Sequence, residues 1–151
     1  MPVTDGPAPE PTGTGAGAAT DPAGVLPPFA RTMGLRLTLA RPDRVEGEVT
    51  VPPGHANRNG VLHGGAVMAI IDCLAGTAAH LNIRPDQMTT TVESKTNFFR
   101  SVRIGEVLRG EVTPLHVGGR THVWQTRLIR ADGKVAALCI QTQMTIERPA
   151  D

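Results

Sequence analysis

Residues 63–81, which read HGGAVMAIIDCLAGTAAHL, decide the fold. Their bulky residues recur every three or four positions and form one apolar stripe: Val67, Ile70, Ile71, Leu74, Ala78 and Leu81. The opposite face carries small residues and a single acid: Gly65, Ala69, Asp72, Gly76 and Ala79. A helix that is apolar on nearly every side is expected to be buried on nearly every side. The stretch therefore predicts a central helix roughly 27 Å long.

Alternating apolar and polar residues on both sides of this helix predict half-buried strands. Two strands, 35–39 and 45–51, form a hairpin before the helix, and a short helix at 29–33 follows Pro27-Pro28. After the central helix, the predicted strands are 89–99, 106–117 with a break or bulge at Pro114, 121–130 and 134–146. Asp132-Gly133 is a strong hairpin signal between the last two strands.

One helix among these strands predicts an α+β architecture, in which five or six mostly antiparallel strands wrap a single helix. We expect this domain to span residues 27–148. Residues 1–26 are rich in Pro, Gly, Ala and Thr. They have little apolar surface to bury against the entropy of ordering, so the sequence predicts a disordered tail.

The composition argues against several functions. The chain has 151 residues, a net charge of +1 and 3% aromatic residues, which disfavours nucleic acids and anionic membranes as partners. The longest apolar run, 66–79, contains Asp72 and is shorter than the ~20 residues of a membrane span. Two cysteines without a CxxC motif, and an N-terminus unlike a secretory signal, lead us to expect a cytoplasmic protein.

Gly64-Gly65 at the start of the central helix could hold a developing negative charge. The first N–H groups of a helix have no intrahelical partner, and the positive end of the helix dipole adds to them. Glycine also lets an oxygen approach closely, so the pair has the elements of an oxyanion hole. Asn57 and His63 flank this position as polar positioning groups.

Asp72 is the candidate general base or nucleophile, since a mid-helix carboxylate is costly unless it is hydrogen-bonded or reaches a cavity. It follows Gly64 by eight residues, which is roughly 12 Å along one helix. One chain therefore cannot bring both groups to the same substrate atom. If both act together, Asp72 comes from a second copy, and a two-fold homodimer has two composite sites.

The string Asn57-x-x-Gly60-x-Leu62-His63-Gly64-Gly65, with Asp72 nine residues after the histidine, resembles the hotdog-fold acyl-CoA thioesterases of the PaaI type. The likeness covers roughly residues 27–147. It continues in weaker features: Thr89-Thr90-Thr91-Val92-Glu93, Phe98, Gly105-Glu106, Gly118-Gly119-Arg120 and Asp132-Gly133-Lys134.

This resemblance implies hydrolysis of coenzyme A thioesters without a metal or a separate cofactor. It implies that the Gly64 N–H polarises the thioester carbonyl, with Asn57 and His63 shaping that end. Asp72 of the second copy would activate water or attack directly, and the Thr91 hydroxyl would help to hold the water. Candidate substrate contacts are Gly65, Gly119 and Arg120, with Arg58 and Arg100 as weaker ones for the phosphates.

Simpler interpretations stay open for the same residues. His63 and the two glycines suit a helix start, Asp72 could be a structural acid, and Thr91 suits a strand. Arg120 also suits a solvated strand end. Four residues either line the acyl pocket or, the preferred interpretation, pack in the core: Met68, Met88, Phe98 and Phe99. The alternative functions are a non-catalytic acyl-CoA binding module and a hotdog hydratase or dehydratase. Pairing of dimers into a tetramer is also open.

Overall fold

The computed structural model describes residues 24–149 and contains one antiparallel sheet around a central helix. The elements are α1 (Pro28–Thr32), β1 (Arg36–Arg41), β2 (Arg44–Thr50), α2 (Gly64–His80), β3 (Gln87–Phe98), β4 (Val107–Val117), β5 (Thr121–Ile129) and β6 (Val135–Glu147). A 3-10 turn at Pro53–His55 lies between β2 and α2. The strand order is β1-β2-β4-β5-β6-β3, and every neighbouring pair is antiparallel. The predicted hotdog architecture is confirmed.

The predicted apolar stripe of α2 packs against the inner face of the sheet. Ile70, Ile71 and Leu74 are each at most 1% exposed, and burying such a side chain stabilises the fold by about 1.5–3 kcal/mol. Leu74 lies over Gly47 of β2 and Gly110 of β4, which are paired across the two strands. A Cβ at Gly110 would lie 2.3 Å from Leu74 Cδ1. The two glycines therefore allow the helix to lie close to the sheet.

The opposite face of α2 is open over its N-terminal part, contrary to the expectation of burial on nearly every side. Gly65 and Asp72 are exposed on this face, as is the adjacent Met68, whereas Ala79 near the end of the helix is buried. Over the exposed part, a single sheet covers only one side of the helix. The four residues assigned to core packing are likewise exposed: Met68 41%, Met88 37%, Phe98 53% and Phe99 53%. The core interpretation of these four is wrong for the single chain.

The strand boundaries differ from the predicted ones by at most two residues. The expected irregularity at Pro114 is present as a shift in the β4–β5 register between Pro114 and His116. Gly133, with φ of +79°, forms the expected turn before β6. Residues 1–23 of the predicted tail lie outside the described residues, and Leu26 is 4% exposed in the core. Neither α1 nor α2, the helices of residues 24–149, is long and apolar enough to cross a membrane.

Candidate active site

The start of α2 presents an N–H group that is free to bind a ligand. His63 is the N-cap residue, and its Nδ1 accepts the Gly65 N–H at 2.9 Å, while Val67 N–H bonds to the His63 carbonyl at 3.0 Å. Within residues 24–149, the Gly64 N–H has no acceptor. The helix-start interpretation of His63 thus fits the geometry. The cap leaves the N–H groups of Gly64 and Ala66 without an acceptor within residues 24–149, and Gly64 is the one of the two that lines the cleft beside this helix start.

Asn57 orders the loop that leads into α2. Its Oδ1 accepts the N–H groups of Asn59 at 2.8 Å and Val61 at 3.4 Å, which forms an Asx turn. Its backbone N–H bonds to the Val61 carbonyl at 2.8 Å. The side-chain oxygen is therefore engaged in the turn, and the amide Nδ2 is the group left to meet a ligand.

A cleft of about 370 Å³ lies beside this helix start. It is lined by Asn57, Gly64, Phe98 and Arg100, among others. Arg100 is exposed, and its Nη1 donates to the Val135 carbonyl at 2.7 Å. The cleft thus joins the candidate carbonyl-binding group, an aromatic surface and one cation.

Asp72 lies in a different cleft, of about 570 Å³, together with Thr91 and Gln143. Residues 24–29 and α1 form one wall of this cleft. The Asp72 carboxylate is exposed, but its Oδ1 accepts two hydrogen bonds, from Thr91 Oγ1 at 2.8 Å and from Gln141 Nε2 at 2.9 Å. The carboxylate is held by the fold and still accessible from the cleft, as a general base or a nucleophile must be.

Gln141 and Gln143 of β6 are the members of this site that the sequence reasoning missed. They are 0% and 2% exposed. Gln143 Nε2 donates to Thr91 Oγ1 at 2.8 Å, and Ser94 Oγ donates to Gln141 Oε1 at 3.1 Å. The strand period places both glutamines on the same face as Ala137 and Cys139, but two glutamines in an alternating strand are ordinarily assigned to the solvent-facing side.

Other predicted site residues lie elsewhere. The Gly65 N–H is occupied by His63, and both residues line a third cleft of about 340 Å³. Gly119 and Arg120 are exposed in the β4–β5 turn and line none of these three clefts. The Arg120 carbonyl accepts the Thr145 N–H at 2.9 Å. The structure therefore groups Asn57, Gly64 and Arg100 in one cleft, and Asp72 with Thr91 in another.

Cys73, the neighbour of Asp72, does not supply a nucleophile. Its side chain is 8% exposed. Burial, and then the charge of Asp72, raises the pKa of the Cys73 thiol to about 11. The thiol is protonated at neutral pH, and a thiol reacts as its thiolate. Within residues 24–149, no three His, Cys, Asp or Glu side chains are grouped as metal ligands.

A six-stranded sheet around one helix that carries an anchored, accessible carboxylate defines a hotdog-type protein. A family model described as the thioesterase superfamily matches residues 59–137. The chain belongs to this superfamily and is a thioester hydrolase.

Individual proteins resemble the chain over most of its length. It is 33% identical over 100 residues to a 1,4-dihydroxy-2-naphthoyl-CoA hydrolase of Escherichia coli, which covers 65% of this chain and 71% of that protein. It is 29% identical over 102 residues to the proofreading thioesterase EntH of Cronobacter turicensis, covering 68% and 74%. The crystal structure of the Escherichia coli PaaI protein superposes with a TM-score of 0.72 at 19% identity, covering 78% and 83%, and shares the fold.

Proposed function

We propose that the chain hydrolyses acyl-CoA or aryl-CoA thioesters at a site shared between two copies of the chain. The observation that carries the proposal lies on α2. This helix presents an unpartnered Gly64 N–H in one cleft and the anchored Asp72 carboxylate in another. The likeness to a naphthoyl-CoA hydrolase supports coenzyme A thioesters as the substrate class.

The separation of the two groups supports a homodimer. Gly64 and Asp72 are eight residues apart on one helix, or roughly 12 Å, which is too far for both to reach one carbonyl carbon. A second helix related by a two-fold axis and running antiparallel would bring Asp72 of the partner subunit beside Gly64. Dimerisation would also cover the open face of α2.

The exposed edge of the sheet supports the same assembly. β3 is an edge strand of 12 residues and carries Val92 and Phe98, which are 61% and 53% exposed. A long edge strand with exposed apolar side chains is an aggregation liability unless another strand covers it. Pairing with β3 of a second copy would satisfy this edge and place the Gly64 cleft at the interface, since Phe98 lines that cleft.

In the proposed reaction, the thioester carbonyl oxygen accepts the Gly64 N–H, which stabilises the negative charge that develops there. Asp72 of the partner subunit removes a proton from water as the water oxygen attacks the carbonyl carbon. The carbon–sulfur bond then breaks, and the thiolate takes up a proton. The products are a carboxylic acid and free coenzyme A. The proposed steps use only the substrate, water and groups of the two chains, and coenzyme A enters as part of the substrate.

A second route begins with direct attack by the Asp72 carboxylate and passes through a mixed anhydride that water then hydrolyses. Single-turnover reactions in ¹⁸O-labelled water, followed by mass spectrometry, test for this route. Water attack at the aspartyl carbon of the anhydride places ¹⁸O in the peptide containing Asp72, and this label would establish the anhydride. The general-base route and water attack at the acyl carbon of the anhydride both place ¹⁸O in the acid product alone.

The remaining candidate contacts concern the coenzyme A moiety. Arg100 lies in the Gly64 cleft, and we propose that it contacts a phosphate of coenzyme A. Arg58 and the turn residues Gly119 and Arg120 are exposed and are the further candidates. Replacing a phosphate-contacting arginine by Met would raise KM for coenzyme A esters, but not for short pantetheine esters that lack those phosphates.

The direct test is release of free thiol from a panel of aryl- and fatty-acyl-CoAs. Asp72→Asn is the control, because Asn keeps an oxygen for Thr91 and Gln141 but cannot act as a base. Parental rates in this variant would refute the proposed role of Asp72. Tight binding of these esters without turnover of any of them would instead support a non-catalytic binding module.

A mixing experiment tests the shared site. Asp72→Ala and Gly64→Pro chains, each inactive alone, are unfolded together and refolded. Random pairing makes half of the dimers mixed, and each mixed dimer has one intact composite site, so about a quarter of the parental activity returns. No recovery, with mixed dimers demonstrated by mass spectrometry, would mean that each site lies within one chain.

A further inference from the structure

In the C-terminal half of β6, polar side chains face inward and apolar side chains face outward, which is opposite to the usual half-buried strand. Its inward side chains, Gln141 and Gln143, are polar and at most 2% exposed. Its outward side chains include Ile140, which is half-buried, and Met144, which is 37% exposed. Burying an amide costs free energy unless its hydrogen bonds are satisfied. Two buried glutamines side by side therefore call for a specific set of partners.

The hydrogen bonds of both glutamines converge, directly or through Thr91, on one oxygen of Asp72. Gln141 Nε2 donates directly to Asp72 Oδ1, and Ser94 holds the other end of the amide by donating to its Oε1. The amide is thus oriented with its donor toward the carboxylate. Gln143 Nε2 donates to Thr91 Oγ1, so that the Thr91 proton points to the same Asp72 Oδ1. Within residues 24–149, no group donates to Asp72 Oδ2.

We propose that Gln141 and Gln143 are positioning residues that fix Asp72 through Oδ1 and leave Oδ2 as the oxygen that meets water or the thioester carbonyl. This inference rests on the proposed function of Asp72. An Asp side chain on a helix can change its χ1 and χ2 rotamers unless one oxygen is held. The two glutamines thereby select the oxygen that reacts.

Few charged groups compete with these hydrogen bonds. The titratable and charged residues around the cleft are Cys73 and His80 on α2 and Arg31 on α1. On β5, His122 lies opposite Gln143 in the sheet register. The inner faces of β3 and β6 contribute only uncharged groups beside Asp72, since Glu93 and Lys95 alternate with Ser94 and lie on the other face. The uncharged donors therefore dominate the immediate surroundings of Oδ1.

The test measures the χ1 rotamer of Asp72 by NMR three-bond coupling constants, assigned by comparison with Asp72→Asn. In Gln141→Met, a near-isosteric change that removes the direct donor, the couplings show averaging over more than one rotamer. In Gln143→Met the averaging is smaller, because Thr91 can still donate. Thr126→Val is the matched control: it alters a fully buried hydroxyl on β5 that has no partner within residues 24–149. It leaves the couplings unchanged.

Kinetics supply the second readout. In Gln141→Met, kcat falls about tenfold with little change in KM. Parental Asp72 couplings in a folded Gln141→Met protein would overturn the inference. So would equal averaging in Thr126→Val. If Gln141→Met does not fold, Gln143→Met decides.

The NMR coupling constants do not depend on turnover. If Asp72→Asn still hydrolyses thioesters, the proposed function fails. The couplings then still show whether the glutamines hold this carboxylate.

Discussion

The two ends of the sheet differ in which face carries the polar side chains. At the β1–β2–β4 end, the inner face is apolar, with Leu37, Val45 and Val112 at most 4% exposed. The outer face of this end carries ion pairs such as the one between Arg36 and Glu48. At the β6–β3 end, the inner face carries buried glutamines and the outer face is partly apolar. The β1–β2–β4 end has the usual pattern of a half-buried sheet, with apolar side chains inward and polar side chains outward. At the β6–β3 end, polar side chains replace part of the apolar inner face and hold the Asp72 carboxylate.

This difference indicates that the β1–β2–β4 end mainly stabilises the fold and that the β6–β3 end mainly supports the reaction. A change at the β1–β2–β4 end should therefore act on stability, and a change at the β6–β3 end should act on turnover. The comparison is sharpest where the same type of residue can be altered at each end.

The largest expected effect comes from removing one carboxylate at each end. Asp72→Asn should lower kcat by roughly 10²–10⁴-fold, the usual contribution of a general base, with little change in the free energy of unfolding. Glu111→Gln should leave kcat unchanged. Glu111 contacts Arg109 at 3.2 Å on the outer face, and such pairs contribute at most about 1 kcal/mol. Thiol release and urea unfolding of both variants check this, and equal kinetic losses would abolish the distinction.

The second prediction removes the Gly64 N–H itself. Proline is tolerated at the first position of a helix, and His63 has the extended backbone, φ −65° and ψ 138°, that a residue before proline prefers. Gly64→Pro should therefore fold and lose roughly 10²–10³-fold in kcat/KM, as when an oxyanion donor is removed.

Gly64→Ala is its control for bulk, since an added Cβ would lie 3.7 Å from the Phe98 ring, an ordinary contact. Alanine keeps the N–H, so Gly64→Ala should lose much less activity than Gly64→Pro. Equal losses in the two variants would show that bulk, rather than the missing donor, is responsible.

Most of the fold could be predicted from the sequence, because the helical period and the turn residues are local patterns. The period of residues 63–81 identified α2, and Pro114 and Asp132-Gly133 marked the bulge and the turn. It also supplied the argument that Gly64 and Asp72 cannot meet within one chain, since helix rise alone fixes their separation.

What the sequence could not supply depends on pairing between distant segments. Two glutamines in an alternating strand are ordinarily read as solvent-facing. Only the register of β6 with β3 and β5 turns Gln141 and Gln143 inward. The hydrophobicity of Met68 and Phe98 predicts that they become buried, but it does not say whether their own sheet or a second copy covers them.

The third prediction concerns packing at the β1–β2–β4 end of the sheet. Gly110→Ala places a Cβ 2.3 Å from Leu74 Cδ1, a buried side chain with little room to move. Overpacking of this kind should lower the free energy of unfolding by about 1–3 kcal/mol. Turnover per folded molecule should stay at the parental value. Urea unfolding combined with active-site titration checks this, and loss of kcat in fully folded protein would contradict it.

The fourth prediction tests the Thr91 hydroxyl. Thr91→Val removes one of the two donors to Asp72 Oδ1 and leaves the Gln143 amide without its acceptor. We expect about a tenfold loss of kcat, equal to roughly 1.4 kcal/mol of transition-state stabilisation. Thr91→Ser keeps the hydroxyl and should restore most of the rate. Failure of serine to do better than valine would assign Thr91 to strand packing alone.

The smallest effect is a pH dependence of stability from His122, on the inner face of β5 opposite Gln143. Burial lowers the pKa of this imidazole below 6.5, with a further contribution from nearby His116 and an opposing one from the Gly118 backbone. The unfolded chain therefore binds the proton more tightly than the folded protein. Stability contributed by neutral His122 is present above pH 6.5 and is lost as the pH falls toward the folded-state pKa.

His122→Asn removes that titration, so its free energy of unfolding should fall less than the parental value between pH 7 and pH 5. One proton limits the difference to about 1.4 kcal/mol per pH unit. Urea unfolding across this range measures it. Parallel curves for the two proteins would mean that the polar inner face at this end accepts a charged imidazole without loss of stability.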